Sequence, residues 1–151
     1  MDGDEAPGAA LALMELRLEL PPTPDVELVA IRAADLLAER LGFDASGRDA
    51  IGIALAEACL NAIEHGRNGE GIMVKLAVEE AAGGRALLVE VEDHGPGFDP
   101  QASGRRPASG GTVMKRGWGL VLMRELMDEV EIVSHSGGTV VRMRKVLEDR
   151  R

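Results

Sequence analysis

Between Ser46 and His65 lies a segment that is apolar on nearly every side. At about 100° per residue, Ile51, Leu55, Ala58, Cys59, Ala62 and Ile63 cover most of its circumference. Glu57, Asn61, Glu64 and His65 fall on one narrow stripe. A surface helix shows a broad polar face, so a helix with this pattern needs cover around most of its girth. The stripe is then either its single solvent-facing edge or the lining of a polar cavity. A glutamate and an asparagine one turn apart can supply a base and a metal-ligating amide oxygen.

The rest of the chain reads as the cover. Met14, Leu16, Leu18 and Leu20 alternate with Glu15, Arg17 and Glu19, a half-buried strand ended by Pro21 and Pro22. Thr23 is expected to cap a helix with Pro24 at its first position, running to about Leu41 before Gly42 stops it. Ser46 with Asp49 resembles a capping box for the second helix, which continues to His65. Alternation returns in Ile72, Val74, Leu76 and Val78, turns at Gly83-Gly84, and resumes in Leu87, Val89 and Val91. A helix from about Gly119 to Asp128 carries Leu120, Met123, Leu126 and Met127. Two last strands, about Val130 to Ser134 and Thr139 to Val146, flank Ser136-Gly137-Gly138. Strands joined by short turns pair antiparallel, so the fold class is α/β in the α+β sense. The expected architecture is a two-layer sandwich of one mixed, mostly antiparallel sheet with helices on one face. Residues 11–147 form the expected domain, with residues 1–10 and 148–151 as tails.

Composition removes several function classes. The 151 residues hold 26 acidic and 17 basic side chains, a net charge of −9 that suits neither nucleic acid nor an anionic membrane surface. Phe43, Phe98 and Trp118 are the only aromatics, too few for a base-stacking platform. Cys59 is the single cysteine and cannot form an internal disulfide. No apolar run approaches the ~20 residues that span a bilayer, and no signal peptide opens the sequence. A soluble, cytoplasmic domain is expected.

Two further clusters carry possible chemistry. Asp93-His94-Gly95-Pro96-Gly97 follows a strand, which places a carboxylate at a cavity mouth and lets backbone approach a ligand closely; a plain turn has the same composition. Arg116-Gly117-Trp118-Gly119-Leu120 is expected to open a helix, whose free N–H groups suit phosphate. Between them the chain has no periodicity, and a loop that long is either functional or disordered. From Asp99 onward this stretch sets one acid against Arg105, Arg106, Lys115 and Arg116, a basic lid in an acidic chain. The third glycine of a Rossmann fingerprint, a Walker A loop and a nucleophile elbow are all missing.

In chain order, Glu57-x-x-x-Asn61-x-x-Glu64-His65-Gly66, Asp93-x-Gly95-x-Gly97 and Gly117-x-Gly119-Leu120 resemble the N, G1 and G2 boxes of the GHKL ATPase superfamily. The segments ALAEACLNAIEHG and GWGLVLMRELMDEVEI are most similar to the bacterial anti-sigma factor serine/threonine kinases. The resemblance extends from about Leu16 to Lys145 and implies a Bergerat-type ATP-binding fold. It implies that Asn61 ligates Mg²⁺, that Glu57 is the general base, and that Glu64 and His65 continue the nucleotide-facing stripe. Asp93 would accept a hydrogen bond from the adenine amino group, and Gly95 and Gly97 would let backbone reach the nucleotide. Gly117 and Gly119 would anchor a lid at about 98–116, with Trp118 and Leu120 in the same box. Thr139 would lie near the adenine, and Lys115 and Arg116 would contact phosphate. Trp118 departs from the family, which carries a small or aliphatic residue there; it fits either over the nucleotide or on a partner surface.

The function so implied is an ATP/Mg²⁺-dependent protein serine/threonine kinase that sequesters a sigma factor and phosphorylates a STAS-type anti-anti-sigma protein, as a homodimer. The alternative is an ATP-binding partner switch that captures regulators without phosphorylating them. Glu57 favours the enzyme, since a pure switch has no use for a base.

Overall fold

The computed structural model describes residues 11–65, 70–81, 83–94, 113–135 and 137–148. The alternating segments form strands β1 (Leu11–Leu20), β2 (Ile72–Ala81), β3 (Gly84–Asp93), β4 (Glu129–His135) and β5 (Gly138–Glu148). The helices are α1 (Glu27–Leu41), α2 (Ala45–His65) and α3 (Val113–Leu126). None of the described helices is long and apolar enough to cross a membrane.

Strand order is β1-β2-β3-β5-β4, and every pair is antiparallel. The mixed sheet expected from the sequence is therefore corrected. β4 does run parallel to β3 after the crossover through α3, but the β4–β5 hairpin folds β5 back between them. No parallel ladder forms. The inward rows Leu87-Val89-Val91 on β3 and Val141-Met143 on β5 face the helices and join one core with Val74 and Leu76 on β2. The opposite face carries ion pairs instead, with Lys75 2.8 Å from Glu90 and Arg142 bridging Glu90 and Glu131.

α1 packs through Ala30, Ala34 and Ala38, a row of small side chains that lets its backbone approach closely. Gly42 ends it in the left-handed region at φ 104°, its N–H donating to Ala38 and Glu39 carbonyls. α1 starts at Glu27, not at Pro24, because Asp25 takes a positive φ of 64° that no helical turn can include. Thr23 is accordingly not its cap. α2 is capped by Asp44, whose Oδ1 accepts the Gly47 N–H at 2.9 Å, and not by Ser46 with Asp49. α2 lies between α1 and α3 and over β3, which accounts for its apolar circumference.

α3 begins at Val113, six residues before the sequence suggests. Gly117 and Gly119 are interior residues of that helix, although glycine costs about 1 kcal/mol there relative to alanine. Its end comes at Leu126 instead of Asp128: the Leu126 carbonyl takes a 2.8 Å hydrogen bond from Lys145 Nζ, and the Asp128 N–H turns to the Arg144 carbonyl. β5 runs on to Glu148, one residue past the expected domain limit. Residues 1–10 and 149–151 lie outside the described residues.

Candidate functional site

The polar stripe of α2 meets α3 at one place. Gly119 is buried, and a Cβ built on it would fall 2.9 Å from Glu57 Oε2 and 3.4 Å from Asn61 Nδ2. Bare backbone of α3 therefore rests against these two side chains, both half-buried. His65 is also half-buried, and Glu64, the outermost of the four, is exposed. Glu57 and Asn61 thus wall a seam between two helices. It combines a carboxylate and an amide oxygen, hard donors able to accept a proton or hold a small divalent cation.

A second polar group forms at the end of the sheet. Asp93 continues the inward row of β3 and is 4% exposed; Thr139 opens the inward row of β5, is 2% exposed, and is paired opposite Asp93. The Thr139 hydroxyl lies 3.2 Å from that of Ser134, its partner on β4. Three neighbouring strands thereby place an acid and two hydroxyls in line on the helix-covered face. Gly138 makes the pairing possible. Its φ is +144°, and a Cβ there would fall 2.0 Å from the Asp93 carbonyl oxygen. Ser134 is a member that the sequence reading missed. Its signal is positional: Val130, Ile132 and Ser134 form the inward row of β4, and a polar side chain ends it where Asp93 ends that of β3.

Other expected positions fall differently. Gly95, Gly97 and the lid from 98 to 112 lie outside the described residues. Residues 113–116 of the expected lid are the first turn of α3, which includes Lys115 and Arg116. The expectation that Gly117 and Gly119 offer free N–H groups to phosphate is corrected, since the first four helical N–H groups are those of Val113 to Arg116. Leu120 packs against the core, and Trp118 is 57% exposed on the outer side of α3. Cys59 is fully buried; burial pushes its thiol up to about 12, so it is core and no nucleophile. Among the described residues, no three His, Cys, Asp or Glu side chains gather as a metal cluster.

A model of the histidine kinase-like ATPase domain matches residues 20–145, from the last residue of β1 into β5 and across both polar groups. The chain belongs to the histidine kinase-like ATPase family. Within it, the chain is 32% identical over 145 residues to the serine-protein kinase RsbW of Bacillus velezensis, covering 90% of this chain and 88% of that protein. RsbW of Listeria monocytogenes is 29% identical over 143 residues, 89% of this chain and 88% of its own. Two solved structures share the fold. The RsbU and RsbW domains of a Mycobacterium tuberculosis protein match with a TM-score of 0.65 at 24% identity, over 91% of this chain and 33% of that one. The SiaB–SiaC complex of Pseudomonas aeruginosa matches with a TM-score of 0.58 at 14% identity, over 90% of this chain and 91% of that one.

Proposed function

We propose that this chain is an ATP- and Mg²⁺-dependent protein serine/threonine kinase and an anti-sigma factor, which sequesters a sigma factor and phosphorylates a STAS-type anti-anti-sigma protein. The observation that carries the reading is the seam between α2 and α3, where Gly119 leaves room for a carboxylate and an amide against bare backbone. Relatives named serine-protein kinase RsbW, similar over nine-tenths of the chain, support the reaction class.

The residues divide the work by position. Asp93, held at the sheet end beside Thr139 and Ser134, accepts a hydrogen bond from the adenine amino group; guanine presents a carbonyl there and is refused. Asn61 fits a hard cation that binds with substrate phosphates and needs only one or two protein oxygens. Bound Mg²⁺ supplies charge neutralisation at the phosphates. Glu64 and His65 extend the polar wall along the nucleotide. The N–H groups of Val113 to Arg116 replace those of Gly117 and Gly119 as phosphate donors, with the Lys115 and Arg116 charges on the same turn.

Transfer then needs little covalent chemistry from the protein. The acceptor hydroxyl oxygen bonds to the γ-phosphorus as the bond to the β,γ-bridging oxygen breaks, ADP leaves with that electron pair, and Glu57 takes the hydroxyl proton. In the cell we place this cycle in the cytoplasm, where sigma factors act. A homodimer fits the exposed apolar strip of Met14 and Leu16 on the edge strand β1.

The test is Glu57→Ala in a single-turnover assay with ATP and a STAS protein from the same genome, read by intact mass. The variant is expected to keep ATP affinity and to lose about 10²- to 10⁴-fold in transfer rate. Transfer at the parent's rate removes Glu57 as the base and turns attention to Glu64 and His65.

A further inference from the structure

The inward row of a helix-covered sheet is apolar as a rule, and a polar side chain placed there needs a partner. The row of β4 runs Val130, Ile132 and then Ser134, which is half-buried. The Ser134 hydroxyl meets that of Thr139 at 3.2 Å, and Thr139 is 2% exposed. Thr139 in turn stands opposite Asp93 in the β3–β5 ladder, where the Cβ atoms of facing residues lie about 4.5–5.5 Å apart. The three strand ends thus make a line of hydroxyl, hydroxyl and carboxylate, with Ser134 farthest from the acid.

The line has a direction. A hydroxyl carries one hydrogen, so only one of Ser134 and Thr139 can donate across their contact. If Thr139 donates, it turns only lone pairs toward Asp93, and an ionised carboxylate is itself acceptor-only. If Ser134 donates, the Thr139 hydrogen points to the Asp93 end of the line and the clash of acceptors is avoided. Asp93 is the group assigned to the adenine amine, and the ring nitrogen N1 lies beside that amine as an acceptor. A hydrogen on Thr139 suits N1, directly or through one water. Guanine and hypoxanthine carry a hydrogen on N1 and would meet it head-on.

We infer that Ser134 is a positioning residue for purine selection: it donates to Thr139 and so holds the Thr139 hydrogen for the N1 acceptor of adenine. The inference rests on the ATP-binding reading and adds to it a residue that selects the base without touching it.

Calorimetric titration of the full chain with three nucleotides in Mg²⁺ tests it. ATP presents the amine and the N1 acceptor, ITP presents a carbonyl and an N1–H, and 1-deaza-ATP keeps the amine but replaces N1 with C–H. The wild-type chain is titrated first. Failure to bind ATP, or equal affinity for ATP and ITP, ends the adenine reading itself before any variant is made. Ser134→Ala should then weaken ATP by about 3- to 10-fold, the loss of one hydrogen bond, while ITP and 1-deaza-ATP bind as they do to the parent. Ser134→Thr keeps the hydroxyl and should restore ATP affinity. Ser134→Cys, a weak donor of similar shape, carries the same comparison if the alanine variant is too unstable to titrate. Equal weakening of all three nucleotides makes Ser134 a structural residue and overturns the inference, as does an unchanged ATP affinity in Ser134→Ala. A loss for 1-deaza-ATP as large as that for ATP shows that Thr139 serves Asp93 instead of N1, and overturns it too.

Discussion

Gly119→Ala should separate the stability of this protein from its activity, leaving the first nearly unchanged and lowering the second. The added Cβ falls 2.9 Å from Glu57 Oε2, against the 3.4 Å at which ordinary contact begins. The carboxylate must therefore withdraw by about 0.5 Å, while Asn61 Nδ2, at 3.4 Å, can stay. Exchange of glycine for alanine inside a helix stabilises by about 1 kcal/mol. A side chain forced from its rotamer loses about 0.5–1.5 kcal/mol, so the two contributions nearly cancel. The melting temperature should move by no more than about 3 °C in either direction. Catalysis has no such compensation. A displacement of about 1 Å at a reacting group costs about 10²-fold, so 0.5 Å at the base should cost about 10-fold. Calorimetric melting, ATP titration and single-turnover phosphorylation on the same preparation decide it. A transfer rate within two-fold of the parent would refute the claim that the seam fixes the base. A melting point lower by ~10 °C would show instead that the α2–α3 contact cannot yield.

Three other outcomes follow from the same geometry. Asp93→Asn should weaken ATP binding by about 10- to 100-fold, the loss of a hydrogen bond to a charged acceptor, as measured by calorimetry. Asn61→Ala should abolish Mg²⁺-dependent nucleotide binding with an unchanged melting point, since Asn61 lies on the stripe and outside the core. Burial raises the Glu90 carboxyl, but hydrogen bonds from Lys75 and Arg142 outweigh it and hold the group below its ordinary value. A lowered folded pKa contributes stability above the unfolded value of about 4.3 and loses it as pH falls through the folded one. Glu90→Gln should therefore be less stable than the parent at pH 7 in urea unfolding, with the gap closing below about pH 4.

Which features were legible depended on whether a signal was periodic or steric. Strands β2 and β3 were plain because large apolar residues recur at every second position, in Val74 and Leu76 and again in Leu87 and Val89. Asp93 was legible as an acid standing at a strand end before Gly-x-Gly, whereas Thr139 came only through the family resemblance. The start of α3 was hidden because Gly117 and Gly119 look like a boundary, and local propensity says nothing of what presses on a glycine from another element. Asp25 hid the true start of α1 for a similar reason: a positive φ at a non-glycine residue is set by its surroundings. The antiparallel character of the whole sheet depended on where β5 inserts, which is a matter of tertiary packing.

The stripe on α2 offered two readings in the sequence, a solvent edge or a cavity wall, and the fold shows why one helix can be both. α1, α3 and the sheet surround α2, so polar side chains are tolerable only where a neighbour leaves space and some water can enter. At Glu57 and Asn61 that space exists because α3 presents a residue with no side chain; Glu64 lies at the exposed surface. Any larger residue at position 119 would close the seam and force the carboxylate outward. Gly119 is therefore a constraint on the site more than a hinge or a phosphate donor. Its flank, Trp118, is free to serve the surface because its neighbour serves the interior.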